Sequence, residues 1–432
     1  MTIHAESTQS LDPADGGLHD PAGFAPTTSG STARTIALVL IAAVGMYVMA
    51  MSLSTALSLR IASVAPDTKD VLYSRIVSIG ALAMLVVVPL AGALSDRTTS
   101  RFGRRRPWIV AGLLVTLLGA LVVGASSNPL VIGAAYIVAV AAMQAGFNAY
   151  AVIPVEAVPD AMRARVMGVM GLFGALAFSG GSYLTGALVD QPLLLMTVPV
   201  LLALVASLPL LALYRDPVKV RAEVPALDVR SMVGGMIVNP RKHPNFGWTW
   251  LARFLAGMAM AALFTYFIYF MIDVLAVPLP EVGAKAGLLT LISAPVSIIC
   301  FTGSGWLSDK IGRRKPIVAA AALFMAAGLV LGATASSFNG FAVAWVVFAV
   351  GQAAYLTVDL ALCASVLPDS RDAGKDMAVF GLALNIPNIL VPALGPTILA
   401  LGGGQNYTVL WIGAAVLCIT GAALMPLIKG VR

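Results

Sequence analysis

The chain has 432 residues, of which 59% are apolar and 11% are charged, and it carries a formal net charge of +7. An ordinary soluble domain is about 45–50% apolar and about 25% charged. This composition argues against a soluble enzyme, a DNA-binding protein and a disordered chain. It indicates a protein that crosses a membrane many times.

Twelve long apolar runs follow a polar N-terminal segment. Residues 1–33 are rich in Ser, Thr, Asp, Gly and Pro and predict a disordered tail, not a signal peptide. Each later run is close to the ~20 residues that a helix needs to span the hydrocarbon core, whereas barrel strands would alternate over about 10 residues. We therefore expect an all-α membrane protein. The predicted helices, numbered 1 to 12, cover residues 36–57, 72–94, 107–126, 129–153, 166–188, 192–213, 247–274, 286–307, 316–335, 338–366, 377–401 and 407–428.

The basic residues predict the orientation of these helices. If the N-terminus lies inside, the cytoplasmic segments hold 22 Lys and Arg residues and the outer segments hold 4. Under the positive-inside rule, both termini are then cytoplasmic. The positive charge is accordingly interpreted as a determinant of topology and of contact with anionic lipid, not as a nucleic-acid site.

The chain repeats itself once. Residues 92–97 read GALSDR and residues 305–310 read GWLSDK; GRRRP follows at 103–107 and GRRKP at 312–316. Gly103 and Gly312 are 209 residues apart, as are Pro159 and Pro368. The repeat predicts two six-helix halves. The predicted units are a tail (1–33), an N-terminal half (34–213), a cytoplasmic linker (214–246) with a short surface helix at 229–238, a C-terminal half (247–428) and a cytoplasmic C-terminus (429–432).

The loops after helices 2 and 8 resemble the signature of the major facilitator superfamily. The four extra residues at 98–101 in the first loop make the chain similar to the sucrose and glycoside cation-symporter branch of that family. The resemblance implies twelve helices around a central cavity, alternating access, and coupled movement of a small molecule with a cation, for which we expect a proton. It implies a monomer in the plasma or inner membrane, with no cofactor and no metal.

The same resemblance suggests a conformational latch on the cytoplasmic side. Asp96 would accept hydrogen bonds from the N-terminus of helix 11, and Asp309 from that of helix 5, because a helix N-terminus favours negative charge. The alternative is that the basic loops are topology determinants alone. The predicted latch residues are Gly92, Asp96, Arg97, Arg101, Gly103, Arg104, Gly305, Asp309, Gly312 and Arg313.

Two ionisable residues lie deep in the predicted helices. A charge in mid-membrane costs roughly 2.5–3.5 kcal/mol on insertion scales, so each needs a reason to be there. Arg253 in helix 7 and Asp359 in helix 10 have matching depths, and we expect them to pair. The pair is either a substrate- or proton-sensitive switch or a structural ion pair, and Asp359 is the first candidate for proton coupling.

Amide and aromatic side chains recur on the helices that line the cavity in the family. Such groups, with few charges, suit a neutral ligand rich in hydroxyl groups, such as a sugar; the alternative is hydrogen bonding between helices. The predicted substrate- or ion-binding residues are Tyr47, Gln144, Asn148, Arg253, Gln352, Tyr355, Asp359, Asn385 and Asn388.

Two other classes of function are alternatives to a sugar symporter. A proton-coupled exporter of drugs or metabolites is the alternative transporter, although helix 5 has no proline and so lacks the Gly-Pro motif of drug antiporters. A membrane enzyme or receptor is disfavoured because the three His residues lie in the tail and the linker and no acidic pair occupies a helix.

Overall fold

The structure is a computed structural model, and it describes residues 29–214, 216, 243–366, 373–402 and 404–429. These residues form helices and their connections, and twelve spans among them are long and apolar enough to cross a membrane. The N-half consists of α1 (Ser29–Val64), α2 (Lys69–Asp96), α3 (Arg106–Ala125), α4 (Pro129–Ala157), α5 (Asp160–Ala187) and α6 (Pro192–Leu213). The C-half consists of α7 (Pro244–Asp273), α8 (Leu279–Ile311), α9 (Arg314–Ala333), α10 (Phe338–Ser365), α11 (Ala373–Asn385), α12 (Pro387–Leu399) and α13 (Tyr407–Leu424).

Several helices begin at a polar residue that satisfies their free backbone N–H groups. Asn128 accepts a hydrogen bond from the Leu130 N–H before α4, and Ser337 accepts one from Gly340 before α10. Asn406 accepts a hydrogen bond from the Val409 N–H before α13. Such caps occupy donors that have no partner within the helix.

The predicted helix 11 is broken into α11 and α12. Pro387 opens α12 and has no N–H to donate, so the helical hydrogen-bond ladder is interrupted at this point. The two pieces still form a single apolar span over Asp376–Leu399. The break lies between Asn385, at the end of α11, and Asn388, at the start of α12.

Two predicted unit boundaries were wrong by a few residues. The predicted tail extended to residue 33, but α1 begins at Ser29, because a helix stabilised by its apolar span extends into a short polar lead-in. The predicted linker extended to residue 246, but α7 begins at Pro244, and proline favours the first turn. Residues 1–28 and the predicted surface helix at 229–238 lie outside the described residues.

The helix packing repeats in the two halves. In the N-half α3 packs on α4 and α6, and in the C-half α9 packs on α10 and α13. The halves meet along two seams, α5 against α8 and α2 against α12. We call the side that carries connections 97–105, 158–159 and 312–313 the basic face, and the side that carries connections 65–68, 188–191 and 274–278 the opposite face.

The halves touch near the opposite face and separate towards the basic face. Gly186 of α5 and Gly283 of α8 cross so closely that a Cβ on Gly283 would lie 2.4 Å from the Gly186 Cα. At the other end of the same seam, a Cβ on Gly168 or Gly303 would meet nothing within 4 Å. The space between the halves is therefore open towards the basic face.

Candidate functional site

Arg253 and Asp359 form an ion pair inside the C-half. Arg253 Nη1 donates to Asp359 Oδ2, as the matched depths of the two residues predict. Asp359 is 1% exposed and Arg253 is 9% exposed. The same Nη1 lies 3.6 Å from Cys363 Sγ, one helical turn after Asp359. The pair joins α7 to α10.

Two buried polar atoms at this pair have no hydrogen-bond partner among the described residues. They are Arg253 Nε and the hydroxyl of Tyr355, which precedes Asp359 by one turn on α10. A buried donor without an acceptor costs about 1–3 kcal/mol, so these atoms mark the place where a water or a ligand would be stabilised. Tyr355 and Asp359 share a face of α10 with Gln352, as their spacing predicts.

A cavity of about 510 Å³ lies between α2 and α4 of the N-half and α11 and α12 of the C-half. Gln144, Asn385 and Asn388 supply its amides, and Ser54 and Tyr136 add hydroxyl groups. None of the described residues that line it is charged. We call it the amide cavity. Three of the predicted binding residues, from both halves, come together here.

A second cavity of about 780 Å³ lies between α5 of the N-half and α8 and α10 of the C-half. Phe264, Trp345 and Phe348 form much of its wall, and Phe264 and Trp345 pack edge to face. Gln352 is the predicted binding residue that it contains. We call it the aromatic cavity. Neither cavity is lined by Arg253, Tyr355 or Asp359. Gln352, which shares a face of α10 with Tyr355 and Asp359, does line the aromatic cavity.

The two remaining predicted binding residues contact their own half. Tyr47 packs edge to face on Phe147, with ring centroids 5.4 Å apart, and lies against Gly174 of α5. Asn148 Nδ2 donates to the Val88 carbonyl at 3.2 Å and so ties α4 to α2. For Asn148 the geometry favours the interhelical alternative.

At the basic face, the charged groups of the N-half gather around Arg105. Arg105 Nη2 lies 2.5 Å from Asp96 Oδ1 and 3.1 Å from Glu156 Oε1, and Arg104 lies 2.5 Å from the same Glu156 oxygen. Sequence reasoning missed Glu156 and assigned no role to Arg105. In this conformation, no hydrogen bond or ion pair among the described residues joins Asp96 to α11, and the Asp96 side chain is 52% exposed.

Asp216, just after α6, holds the loop before α3. Its Oδ2 accepts from the backbone N–H groups of Arg105 and Arg106 at 2.5 and 2.9 Å. Gly103 in this loop has φ +94°, and a Cβ there would lie 2.3 Å from Asp216. Glycine is therefore required at 103 for the turn and for the approach of Asp216.

The other predicted latch residues contact their own half. Arg97 donates to the Ala93 carbonyl at 2.8 Å, and Arg101 lies 4.8 Å from the ring of Phe102. A Cβ on Gly92 would lie 3.6 Å from Asn148 Nδ2, and one on Gly305 would lie 3.4 Å from Thr357 Cγ2, so side chains and not backbones approach these glycines among the described residues. Gly312 ends α8 with φ +64°, and Arg313 is the N-cap of α9. The Asp309 side chain lies outside the described residues.

A polar network closes the opposite face, and sequence reasoning missed it. Lys69 of α2 pairs with Asp273 of α7 at 2.8 Å, and the Tyr407 hydroxyl of α13 lies 2.7 Å from Asp273. Ser74 and Tyr266 share a hydrogen bond of 2.7 Å between the halves. These residues lie on helices that are far apart in the sequence, so their spacing could not predict the contacts between them.

Two six-helix halves with a cavity at each seam are the arrangement of a membrane transporter. The family model of the Major Facilitator Superfamily matches residues 35–304 and 284–431. The chain belongs to this superfamily, and it is a transporter rather than an enzyme.

Short stretches of the chain are similar to sugar transporters. The sucrose transport protein SUC4 of Arabidopsis thaliana is 47% identical over 49 residues, which are 11% of this chain and 10% of that protein. The Proton-associated sugar transporter A of Homo sapiens is 50% identical over 50 residues, 12% of this chain and 7% of that protein. The chain thus matches about a tenth of the length of these curated relatives.

Solved structures share the fold over nearly the whole chain. The nucleoside transporter NupG has a TM-score of 0.70 at 10% identity, covering 92% of this chain and 100% of that one. A bacterial homologue of the human lysosomal transporter Spinster has a TM-score of 0.66 at 15% identity, covering 92% and 96%. At these identities the likeness concerns the fold alone.

Proposed function

We propose that this transporter moves a sugar or glycoside together with a cation, by alternating access. The observation that carries the proposal is the amide cavity, which holds Gln144, Asn385 and Asn388 and is lined by no charged group among the described residues. An amide offers both a donor and an acceptor, and so does each sugar hydroxyl. A neutral ligand rich in hydroxyl groups fits such a cavity without an uncompensated charge.

The similarities over 49 and 50 residues support the substrate class, since they are to proteins named for sucrose and for proton-associated sugar transport. For the cation we propose a proton and Asp359 as its carrier. The face of α10 that holds Tyr355 and Asp359 reaches the aromatic cavity at Gln352, and the Tyr355 hydroxyl beside the pair is buried without a partner among the described residues. Arg253 lies on α7, which packs on α11 and α12 at the wall of the amide cavity. Substrate binding there would shift α7, disturb Arg253 and so change the proton affinity of its partner.

The experiment is uptake into proteoliposomes. A panel of labelled mono- and disaccharides is offered at two pH values, with and without sodium. We expect accumulation of one sugar class that depends on the pH gradient and not on sodium. Asp359→Asn should abolish accumulation but keep exchange of labelled for unlabelled sugar; normal accumulation by this variant would refute Asp359 as the carrier.

The amide cavity is tested in the same assay. We expect Gln144→Ala and Asn385→Ala each to raise KM by about 5- to 100-fold, because hydrogen bonds to a neutral ligand contribute roughly 1–3 kcal/mol when a buried partner is left unsatisfied. The matched control is Gln191→Ala, whose side chain makes no capping hydrogen bond at the start of α6. Unchanged KM in both cavity variants would refute this cavity as the binding site.

We also propose that the basic face is cytoplasmic, that both termini lie on that side, and that the protein is a monomer in the plasma or inner membrane. We further propose the division into a tail, two six-helix halves and a cytoplasmic linker, with α1 beginning at Ser29 and α7 at Pro244. The distribution of Lys and Arg supports the orientation. In that orientation, this conformation opens towards the cytoplasm.

The aromatic cavity favours a second candidate, a proton-coupled exporter of drugs or metabolites. Its volume of about 780 Å³ and its aromatic wall suit an apolar ligand. Growth inhibition profiles of cells with and without the protein separate the two candidates. Resistance to apolar compounds without sugar uptake would favour the exporter.

A further inference from the structure

The network at the opposite face contains two carboxylates that meet at one hydroxyl group. Tyr407 Oη lies 2.7 Å from Asp273 Oδ2 and 3.4 Å from Asp70 Oδ1. Asp70 comes from α2 of the N-half, whereas Asp273 and Tyr407 come from the C-half. Tyr407 is 1% exposed, and the side chains of Lys69 and Asp273 are 9% and 5% exposed. The contact therefore exists when the halves are closed at this face.

If Asp70 and Asp273 are both ionised, this contact has one hydrogen too few to form both of its hydrogen bonds. A tyrosine hydroxyl has a single hydrogen to donate, and the distances assign it to Asp273. Asp70 Oδ1 then faces a lone pair of the Tyr407 oxygen. If the Asp70 carboxyl carries a proton, it can donate into that lone pair, and the sequence of donors runs from Asp70 through Tyr407 to Asp273.

The balance of charges at this contact also indicates that Asp70 carries a proton. Lys69 compensates one carboxylate, Asp273, at 2.8 Å and also approaches the Pro66 carbonyl at 3.5 Å. Among the described residues, the other titratable groups that act on Asp70 are Tyr266 and Tyr269 of α7, and Tyr73 follows Asp70 by three residues on its own helix. All three are neutral hydroxyls at physiological pH. The charged group of α1, Arg60, is engaged by carbonyls at the end of α3, and α12 has no titratable residue. With both acids ionised, one negative charge is left without compensation.

We propose that closure of the opposite face takes up one proton at Asp70. The proton is bound when α2 meets α7 and α13, because it completes both the hydrogen bonds and the charge balance. It is released when the halves separate and water solvates the carboxylate. Acid therefore favours the closed opposite face, independently of the proton that Asp359 is proposed to carry and of the identity of the substrate.

The test is a distance measurement between the halves without substrate. Spin labels are placed at Ser127 and Ser336, which are exposed in the connections after α3 and α9 at the opposite face, in a Cys300→Ser background. Double electron–electron resonance in nanodiscs then gives the ratio of closed to open protein. From pH 8 to pH 5 we expect this ratio to rise, by at most tenfold per pH unit, which is the limit for one linked proton.

Three variants make the result specific. Asp70→Asn is a neutral isostere, so the closed form should predominate and the pH slope should disappear. Asp67→Asn, an exposed carboxylate in the preceding turn, should keep the wild-type slope. Tyr407→Phe should reduce both the closed fraction and the slope. A wild-type ratio that does not depend on pH, or a full slope in Asp70→Asn, would overturn the proposal. Because no sugar is present, failure of the proposed transport function would leave this result unchanged.

Discussion

Arg253 and Asp359 stabilise each other only as a pair. Removal of both charges from water is costly, and their mutual attraction repays that cost when the geometry is good. Cys363 and the Tyr355 hydroxyl lie beside the pair, and that hydroxyl has no partner among the described residues. Loss of one member therefore leaves an uncompensated charge inside the C-half.

The pair predicts a non-additive effect on stability. Asp359→Leu should lower the free energy of unfolding by about 3–5 kcal/mol, because Arg253 remains buried and charged. Arg253→Met combined with Asp359→Leu should recover most of this loss, since apolar residues of similar volume fill the site. Thermal unfolding in detergent measures both. If the double variant is as unstable as the single one, the uncompensated charge is not the cause of the lost stability. Sugar uptake by the double variant is a separate measurement, which reports on proton coupling.

Asp96 pairs with Arg105 in the structure and is half exposed. We propose that it contacts the start of helix 11 when the basic face closes. A carboxylate at an exposed helix N-terminus contributes about 0.3–1 kcal/mol.

Asp96→Asn should shift the population towards the form that is open at the basic face. A loss of about 0.3–1 kcal/mol corresponds to a change of about two- to fivefold in the ratio of the two forms. Thiol accessibility of a cysteine introduced at Leu382, in the wall of the amide cavity, reports this ratio. Asp160→Asn is the control, because Asp160 is exposed at the same face and pairs with Arg163 of its own helix. Equal accessibility in wild type and Asp96→Asn would argue for a role in topology alone.

At the scale of helices, the α5–α8 seam depends on two glycines. The Cβ of an alanine at position 283 would lie 2.4 Å from the Gly186 Cα and 2.6 Å from the Ser182 carbonyl oxygen, so one helix would have to move away. Overpacking of this kind costs about 1–3 kcal/mol. The two glycines meet in the form that is closed at the opposite face, so the cost applies to that form.

Gly283→Ala should therefore shift the molecule towards the form that is open at the opposite face, by about 5- to 100-fold. The spin-label distance between positions 127 and 336 measures this shift, and uptake should fall with it. Gly303→Ala is the matched control on the same helix, since a Cβ there meets nothing within 4 Å. If both variants keep the wild-type distance, the crossing does not limit closure.

The spans were predictable because each is long and apolar, and that property depends on local sequence alone. The repeat of charged loops also revealed the two halves, and the depths of Arg253 and Asp359 revealed their pairing. The network of Lys69, Asp273 and Tyr407 was not predictable. It depends on how three helix ends from different parts of the chain meet, and neither composition nor spacing contains that information.

At the scale of the whole molecule, the two faces have different chemistry. The basic face has charged groups that pair within the N-half, around Arg105, while the halves are apart. The opposite face has charged and hydroxyl groups that pair between the halves, through Lys69 and Tyr407. In the alternating-access cycle proposed above, the contacts at one face form as those at the other face break. The orientation of the protein then decides from which side of the membrane the amide cavity is open in this structure.

The orientation is tested by labelling intact cells with a thiol reagent that cannot cross the membrane. In the Cys300→Ser background, cysteines at Ser127 and Ser336 at the opposite face should react, and a cysteine at Asp160 at the basic face should react only after the cells are lysed. The reason is the positive-inside rule, which places the face with most Lys and Arg in the cytoplasm. Labelling of the Asp160 position in intact cells would reverse the assignment, and with it the proposal that this conformation opens towards the cytoplasm.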